Sequence, residues 1–361
     1  MADVQNEITE SRPLVSIILP AYNEASIIEK NVICLYDYLE SLNNEYLWEV
    51  ILINDGSTDK TGEILETLAS SYPNLIALHH TTNRNLGHAL RTGFQNANGD
   101  YIVVLDIDLT YAPNHIRDLL AKLKECDADM VIASPYMKGG KNTAVPGLRL
   151  LLSKSVNYIM RKASGLKIFT FTGMVRAFKG DFLKSLNTKS STFDINSELI
   201  FKAYILRAKM VEIPAHLDWT ERRKLENNKT SWGRITRGVL NGLVNSFIFR
   251  PYLFFWMLGV AIFLIALYII IWIFVNTYLQ YPTAAELTNG FDNVFSLAVS
   301  MVYKESPYSF VVGGITLIIS IQIMSLGFIS LQNKRYFDEL FHLNSAILKA
   351  TNKNQTENQA D

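Results

Sequence analysis

Between Leu14 and about Ala133 the chain alternates short apolar runs with segments of helical period. The runs at 14–19, 48–53, 75–79, 101–105 and 130–133 predict strands. Between them Ile28, Val32, Leu35 and Leu39 recur at helical spacing, as do Ile64, Leu65 and Leu68, and then Ile116, Leu119, Leu120 and Leu123. This alternation predicts an α/β domain with a mainly parallel sheet covered on both faces. Ligands of such sheets bind beyond the carboxyl ends of the strands, and polar, turn-forming stretches follow three of these strands: PAYNE, NDGSTD and DIDLT. Residues 134–231 are less regular, with loop signals at KGGKN and ENNKTS, and are assigned to the same domain, 14–231.

Two further runs, Tyr252–Val275 and Tyr308–Leu331, each hold 24 residues without Asp, Glu, Lys, Arg or His. Each is long enough to cross ~30 Å of hydrocarbon as a helix. Ahead of the first, Ile235, Val239, Leu243 and Phe247 line one stripe with Arg234, Arg237 and Asn241 away from it, which predicts an amphipathic helix over 232–250 lying on the membrane. Arg222, Arg223, Lys224, Lys229 and Arg250 add positive charge before the first run, and Lys334 and Arg335 follow the second. The connecting segment, 276–307, is expected to be an extracytoplasmic loop, because it has only Lys304 against Glu286, Asp292 and Glu305. The expectation is a multi-pass protein of the inner or plasma membrane, with the 14–231 domain and both termini cytoplasmic. The extension 1–13 lacks the features of a signal peptide, and the tail 332–361 ends in a polar stretch, TNKNQTENQAD, expected to lack fixed structure.

Composition narrows this little further. The 361 residues are 49% hydrophobic with no net charge, so electrostatics gives no case for a nucleic-acid partner. Cys34 and Cys126 are the only cysteines, are placed on apolar helix faces, and are read as packing residues rather than a disulfide. Gln322 and the glycines Gly313, Gly314 and Gly327 within the second apolar run suit helix contacts, and self-association as a homo-oligomer is expected.

The chemistry concentrates at VVLDIDLT, residues 103–110. Alternate residues of a strand share a face, so Asp106 and Asp108 should project the same way where the strand ends. Two neighbouring anions repel unless a cation sits between them.

Taken together, ILPAYNE, INDGSTDKT and LDIDLT resemble the family 2 glycosyltransferases of the GT-A fold, and among them the polyprenyl-phosphate glycosyltransferases such as dolichyl-phosphate mannose synthases. The resemblance implies inverting transfer of one sugar from a UDP- or GDP-sugar to a polyprenyl phosphate. It implies Mg²⁺ or Mn²⁺ with Asp108 as main ligand, Asp106 facing ribose or metal, and Thr110 where relatives often have Gln. Pro20, Tyr22 and Glu24 match positions that grip the nucleoside, and Asp55 matches the acid on the base or ribose. Asp59 fits either a nucleotide contact or a cap for the helix beginning near Thr61. Arg149 and Ser153, one helical turn apart and so able to reach one anion, match residues used on the lipid phosphate. Arg222 and Lys229 match a basic loop that contacts phosphates. NRNLGHALRTGF matches a loop beside the nucleotide, and Pro135 stands where an Arg is common. A phosphate monoester is largely ionised at neutral pH, so such an acceptor needs cations rather than a general base.

Two other readings stay open. A processive polysaccharide synthase would use a base, for which Asp194 is placed, and QNKRY at 332–336 resembles its acceptor signature. A non-catalytic nucleotide-sugar-binding subunit would bind donor without turnover.

Overall fold

A computed structural model describes residues 12–225 and 251–357. Lys229, the ENNKTS loop and the amphipathic helix expected over 232–250 lie outside these residues.

The first of two compact units is built on a sheet of seven strands. In chain order they are β1 (Leu14–Ala21), β2 (Leu47–Asn54), β3 (Leu75–His79), β4 (Tyr101–Val104), β5 (Met130–Ser134), β7 (Arg176–Lys179) and β8 (Met210–Pro214). Their spatial order is β3-β2-β1-β4-β7-β5-β8, with β7 antiparallel to both neighbours and the remaining pairs parallel. Ile18 pairs with Ile51 on one side and Val104 on the other, so the apolar runs meet at the sheet centre, where their side chains are fully buried. A second, two-stranded ladder joins β6 (Lys141–Thr143) to β9 (His216–Asp218).

Helices α1 (Ile28–Glu40), α2 (Thr61–Ser71) and α4 (His115–Glu125) follow their predicted periods. Ile28, Val32, Leu35 and Leu39 of α1 are all buried in one core, each worth about 1.5–3 kcal/mol of apolar burial. The expectation for the cysteines needs correction: Cys34 lies off that stripe and is exposed, whereas Cys126 is half-buried against the core.

The NRNLGHALRTGF stretch is not a loop throughout, because helix α3 (Leu86–Asn96) begins within it. Its two glycines hide the helical signal, and both are required by packing. A Cβ at Gly87 would lie 2.1 Å from the Ser190 carbonyl oxygen, and one at Gly93 2.6 Å from Ile18. The region 134–225 also holds α5 (Gly147–Ser164), α6 (Gly180–Ser185), α7 (Ile195–Ile205) and α8 (Thr220–Leu225).

The second unit contains α9 (Pro251–Leu287), α10 (Phe291–Glu305) and most of α11 (Pro307–Glu357). Phe254–Leu287 and Pro307–Phe337 are long and apolar enough to cross a membrane, and only 11% and 17% of their most apolar windows are buried. A core helix of a water-soluble protein would be mostly covered. The segment 276–307, expected as a loop, is instead helical over most of its length. Val294, Ala298 and Val302 recur at helical spacing on α10, and the first two pack with Ala284 of α9. The tail is also helical through Glu357, and no Gly or Pro interrupts the chain between Phe328 and that residue. Gly313 and Gly327 face this chain's own α9: a Cβ on them would lie 2.9 Å from Ile269 and 2.7 Å from Trp256.

Candidate active site

The site lies beyond the carboxyl ends of β1, β2 and β4. After β1 the chain turns through Asn23, which adopts a left-handed backbone (φ 57°). This loop is stitched to the one after β2. Asn23 N–H donates to Ser57 Oγ (3.0 Å), Thr58 N–H to Asn23 Oδ1 (2.8 Å), and Glu24 N–H to Thr61 Oγ1 (2.9 Å). Asp59 accepts from the Thr61 and Ala25 N–H groups, so it ties the start of α2 to this loop. Pro20 is half-buried at the end of β1, and Tyr22 stands exposed at the rim.

Asp55 is nearly buried after β2. Its Oδ1 accepts the Arg84 N–H at 3.0 Å and meets His80 Nδ1 at 2.7 Å, while His80 Nε2 lies 2.9 Å from Thr92 Oγ1. The Asp55–His80–Thr92 chain therefore fixes the acid between two loops and α3. Gly56 permits this turn: its φ is +67°, and a Cβ there would lie 2.2 Å from the Thr82 carbonyl carbon.

Strand alternation does not place Asp106 and Asp108, because β4 stops at Val104. Leu105 N–H makes one more ladder bond to Ile18 O (3.1 Å), and Asp106 to Leu109 then form a turn closed by Leu109 N–H to Asp106 O (3.1 Å). Ile107 plugs the turn into the core, and Asn31 Nδ2 of α1 donates to its carbonyl at 2.9 Å. The two acids flank that anchor and share one electrostatic neighbourhood. Thr110 is buried, and its N–H donates to Asp108 Oδ1 at 3.1 Å.

Asp106 keeps a little solvent-accessible surface but is closely surrounded by protein. Burial first, then the charges of Asp108 and Glu24, push its pKa up to about 7 against the opposing pull of Arg222 and Arg149. The same burial and Asp106 raise Tyr111 well above its ordinary value.

The cations arrive from the second half of the domain. Asp218 N–H donates to Thr110 O (2.9 Å), Tyr111 bridges to Leu217, and Trp219 N–H donates to Thr143 O (3.0 Å). This strap leads into α8, where Arg222 forms an ion pair with Asp108. Trp219 is nearly buried, with the Arg149 guanidinium 4.1 Å and that of Arg222 5.1 Å from its ring centre. Ser153, one turn after Arg149 on α5, meets Tyr136 Oη at 2.7 Å.

Thus Glu24, Asp106, Asp108, Arg149 and Arg222 come together, Ser153 joins them through Tyr136, and Asp55 occupies the neighbouring β2 loop. Asp194 stands at the start of α7, accepting from the Thr192 hydroxyl at 2.9 Å. QNKRY belongs to α11 in the second unit, where Gln332 donates to Tyr336 one turn on.

Sequence reasoning missed His80, Tyr136, Trp219 and Arg176. Arg176 opens β7 beside Val104 and is fully buried, donating to the carbonyls of Asn196 (2.6 Å) and Phe171 (2.8 Å). Burial lowers its pKa to about 9, against the pull of Glu212 and Tyr111. A charged residue within the apolar VRAF stretch was its available signal.

This architecture has a counterpart among known families: residues 16–186 match the family model described as glycosyl transferase family 2. The matched segment runs from β1 through α6 and includes Asp55, Asp106, Asp108 and Arg149. Among its relatives, a dolichol-phosphate mannosyltransferase of Pyrococcus furiosus is 32% identical over 55% of this chain and 55% of its own length. An undecaprenyl-phosphate mannosyltransferase of Micrococcus luteus is 28% identical over 63% of this chain and 91% of its own. The chain thus spans about half the length of the first relative and nine-tenths of the second. A solved mannosyltransferase from Pyrobaculum calidifontis, in complex with GDP-Man and Mn²⁺, aligns over 94% of this chain and 87% of its own at 18% identity and a TM-score of 0.45.

Proposed function

We propose that this protein is a membrane glycosyltransferase that moves one sugar from a nucleoside-diphosphate sugar to a polyprenyl phosphate, with inversion. The observation that carries the reading is the Asp106–Asp108 pair beyond β4, facing Arg149 and Arg222 from the other half of the domain. The relatives named for transfer to dolichol phosphate and undecaprenyl phosphate support the acceptor class.

The donor set fits a divalent cation. It consists of two crowded carboxylates, hard oxygen donors, one held protonated to about pH 7 by burial and its neighbour. A pair of carboxylates suits Mg²⁺ or Mn²⁺ completed by substrate phosphates and water. Asp106 and Asp108 would hold the ion, with Thr110 orienting Asp108. When bound, it neutralises charge on the departing nucleoside diphosphate.

The remaining work falls to this chain's own groups. Tyr22, Glu24 and Asp55 line the nucleoside side, Pro20 shaping the loop, and the bonds between the β1 and β2 loops hold that side in register. Arg149, Ser153 and Arg222, with Lys229, bind phosphate oxygens. One phosphate oxygen of the lipid attacks the anomeric carbon as the sugar's bond to the diphosphate breaks. That oxygen has no proton to lose at neutral pH, so the absence of an assigned base is consistent. Arg222 must exchange Asp108 for phosphate as substrates arrive.

The charge bias around the apolar helices supports a cytoplasmic catalytic domain, 14–231, with α9 and α11 in the cell membrane. The test is transfer of label from a panel of nucleotide sugars into polyprenyl phosphate, with and without chelator. Asp108→Asn should abolish transfer while the protein remains folded by circular dichroism. Normal turnover in that variant would remove the metal assignment, and a polymeric product would favour a processive synthase.

A further inference from the structure

Trp219 and Arg222 reach the site only because the strap of residues 215–219 is held in place. Much of it is held by main-chain bonds. Ala215 N–H donates to Ser134 O (3.1 Å), Asp218 N–H to Thr110 O (2.9 Å) and Trp219 N–H to Thr143 O (3.0 Å). His216 N–H differs, because it donates to a side chain: Nε2 of His115, 3.1 Å away and 101 residues earlier in the chain.

His115 opens α4 and is only 6% exposed. Both of its ring nitrogens are engaged. Nδ1 lies 2.8 Å from the Ala112 carbonyl oxygen. A carbonyl only accepts, so Nδ1 carries the ring proton and Nε2 offers the lone pair that takes the His216 N–H. Tyr111 meets the imidazole edge-on, with ring centres 5.8 Å apart and planes at 83°, and Tyr111 itself bridges to Leu217 of the strap. The His216 ring adds a tie to β6, its Nε2 lying 2.7 Å from Thr143 Oγ1. Beyond these ties Asp218 Oδ1 accepts the Thr220 N–H at 2.9 Å, where the strap enters α8 and delivers Arg222 to Asp108. A buried ring needed for packing alone would leave the His216 amide to find another partner; here the amide depends on one nitrogen in one tautomer, and losing that acceptor leaves a donor unpaired.

We propose that His115 is a positioning residue whose Nδ1–H tautomer latches the strap and thereby sets Trp219 and Arg222 against Asp106 and Asp108. The latch stands on the hydrogen bonds alone; its consequence for sugar transfer rests on the proposed function.

The test separates the two ring nitrogens in the full chain in detergent micelles. His115→Gln keeps an acceptor where Nε2 stands, whereas His115→Asn keeps a donor where Nδ1 stands and removes the acceptor. Hydrogen–deuterium exchange reads the latch without substrates. Peptides covering 215–222 should exchange several-fold faster in the Asn variant, with β1 and β2 unchanged, and should regain protection in the Gln variant. Transfer should fall about tenfold in the Asn variant, the scale of one buried amide losing its partner, and stay within about twofold in the Gln variant. In spectra of ring-¹⁵N-labelled histidine, the signal missing from both variants should show its proton on Nδ1. Unchanged strap exchange in the Asn variant, the reverse order of the two variants, or a proton on Nε2 would each overturn the latch. Faster strap exchange with unimpaired transfer would overturn the positioning role. Because exchange is measured without substrates, failure of the parent chain to transfer sugar to polyprenyl phosphate would count against the proposed function and not against the latch.

Discussion

If Asp106 holds a proton to about pH 7, loading the site with a divalent ion must release it. The ordinary value for the acid is 3.8, and burial beside Asp108 raises it to about 7. The sign follows from linkage. Below pH 3.8 the carboxyl is protonated in folded and unfolded chains alike and contributes nothing to the difference. Between 3.8 and about 7 the unfolded chain loses the proton while the folded chain keeps it, so stability of the metal-free protein declines as pH rises. Above about 7 the full penalty remains. Three units correspond to at most about 4 kcal/mol, and the acid's partial solvent contact reduces this. Occupation of the site reverses the term. Apparent affinity for Mn²⁺ should therefore rise up to about tenfold per pH unit below 7, the slope for one displaced proton, and level off above it. Calorimetric titration in buffers of different ionisation heat would count that proton directly. Asp106→Asn should abolish the proton release and stabilise the metal-free protein near pH 8. Mn²⁺ binding that is independent of pH between 6 and 8, with no proton released, would refute the reasoning.

Other substitutions separate the parts of the site. Arg149→Ala should raise the KM for polyprenyl phosphate about tenfold or more with donor binding little changed, and should move the Mn²⁺ pH profile upward because one cation opposing protonation of Asp106 is gone; equal loss of both substrates would count against its acceptor role. Gly56→Ala combines a left-handed backbone with a Cβ in contact with the Thr82 carbonyl, so it should cost about 2 kcal/mol or more of stability in denaturant titration and weaken nucleotide binding. Arg176→Met leaves the carbonyls of Phe171 and Asn196 without their guanidinium partners, and should lower the thermal midpoint by several degrees while nucleotide affinity of the folded protein stays unchanged.

The five strands from β1 to β5 could be read to within about two residues because each appears as a short apolar run; β1, β2, β4 and β5 are largely buried on both faces, whereas β3, at the sheet edge, is only partly covered. What escaped were features whose residues serve a neighbour rather than their own element. Gly87 and Gly93 weaken the α3 pattern because Ser190 and Ile18 press against them. Arg176 interrupts the apolar signature of β7, and its reason for being there, two carbonyls from separate segments, is long-range. In the apolar half, two long apolar helices could be read from hydropathy, although both run past the apolar runs that signalled them, and α10 could not be anticipated from a charge count.

The site shows the same limit. Asp106 and Asp108 were conspicuous, yet their presentation comes from a turn anchored by Ile107 and Asn31 rather than from strand alternation. Arg222, 114 residues further on, reaches Asp108 because the intervening chain returns as a strap: Leu217 bridges to Tyr111, Asp218 N–H bonds Thr110 O, and the β6–β9 ladder fixes its angle. Those contacts use main-chain atoms, so side-chain identity hardly records them. Trp219 is the exception. Its ring lies against two guanidiniums whose mutual repulsion the neighbouring acids offset, and the strap that fixes the ring is hydrogen-bonded to the residue that orients Asp108. Cations and carboxylates are thereby set from one framework, and a loosened strap would be expected to disturb both substrate sides together.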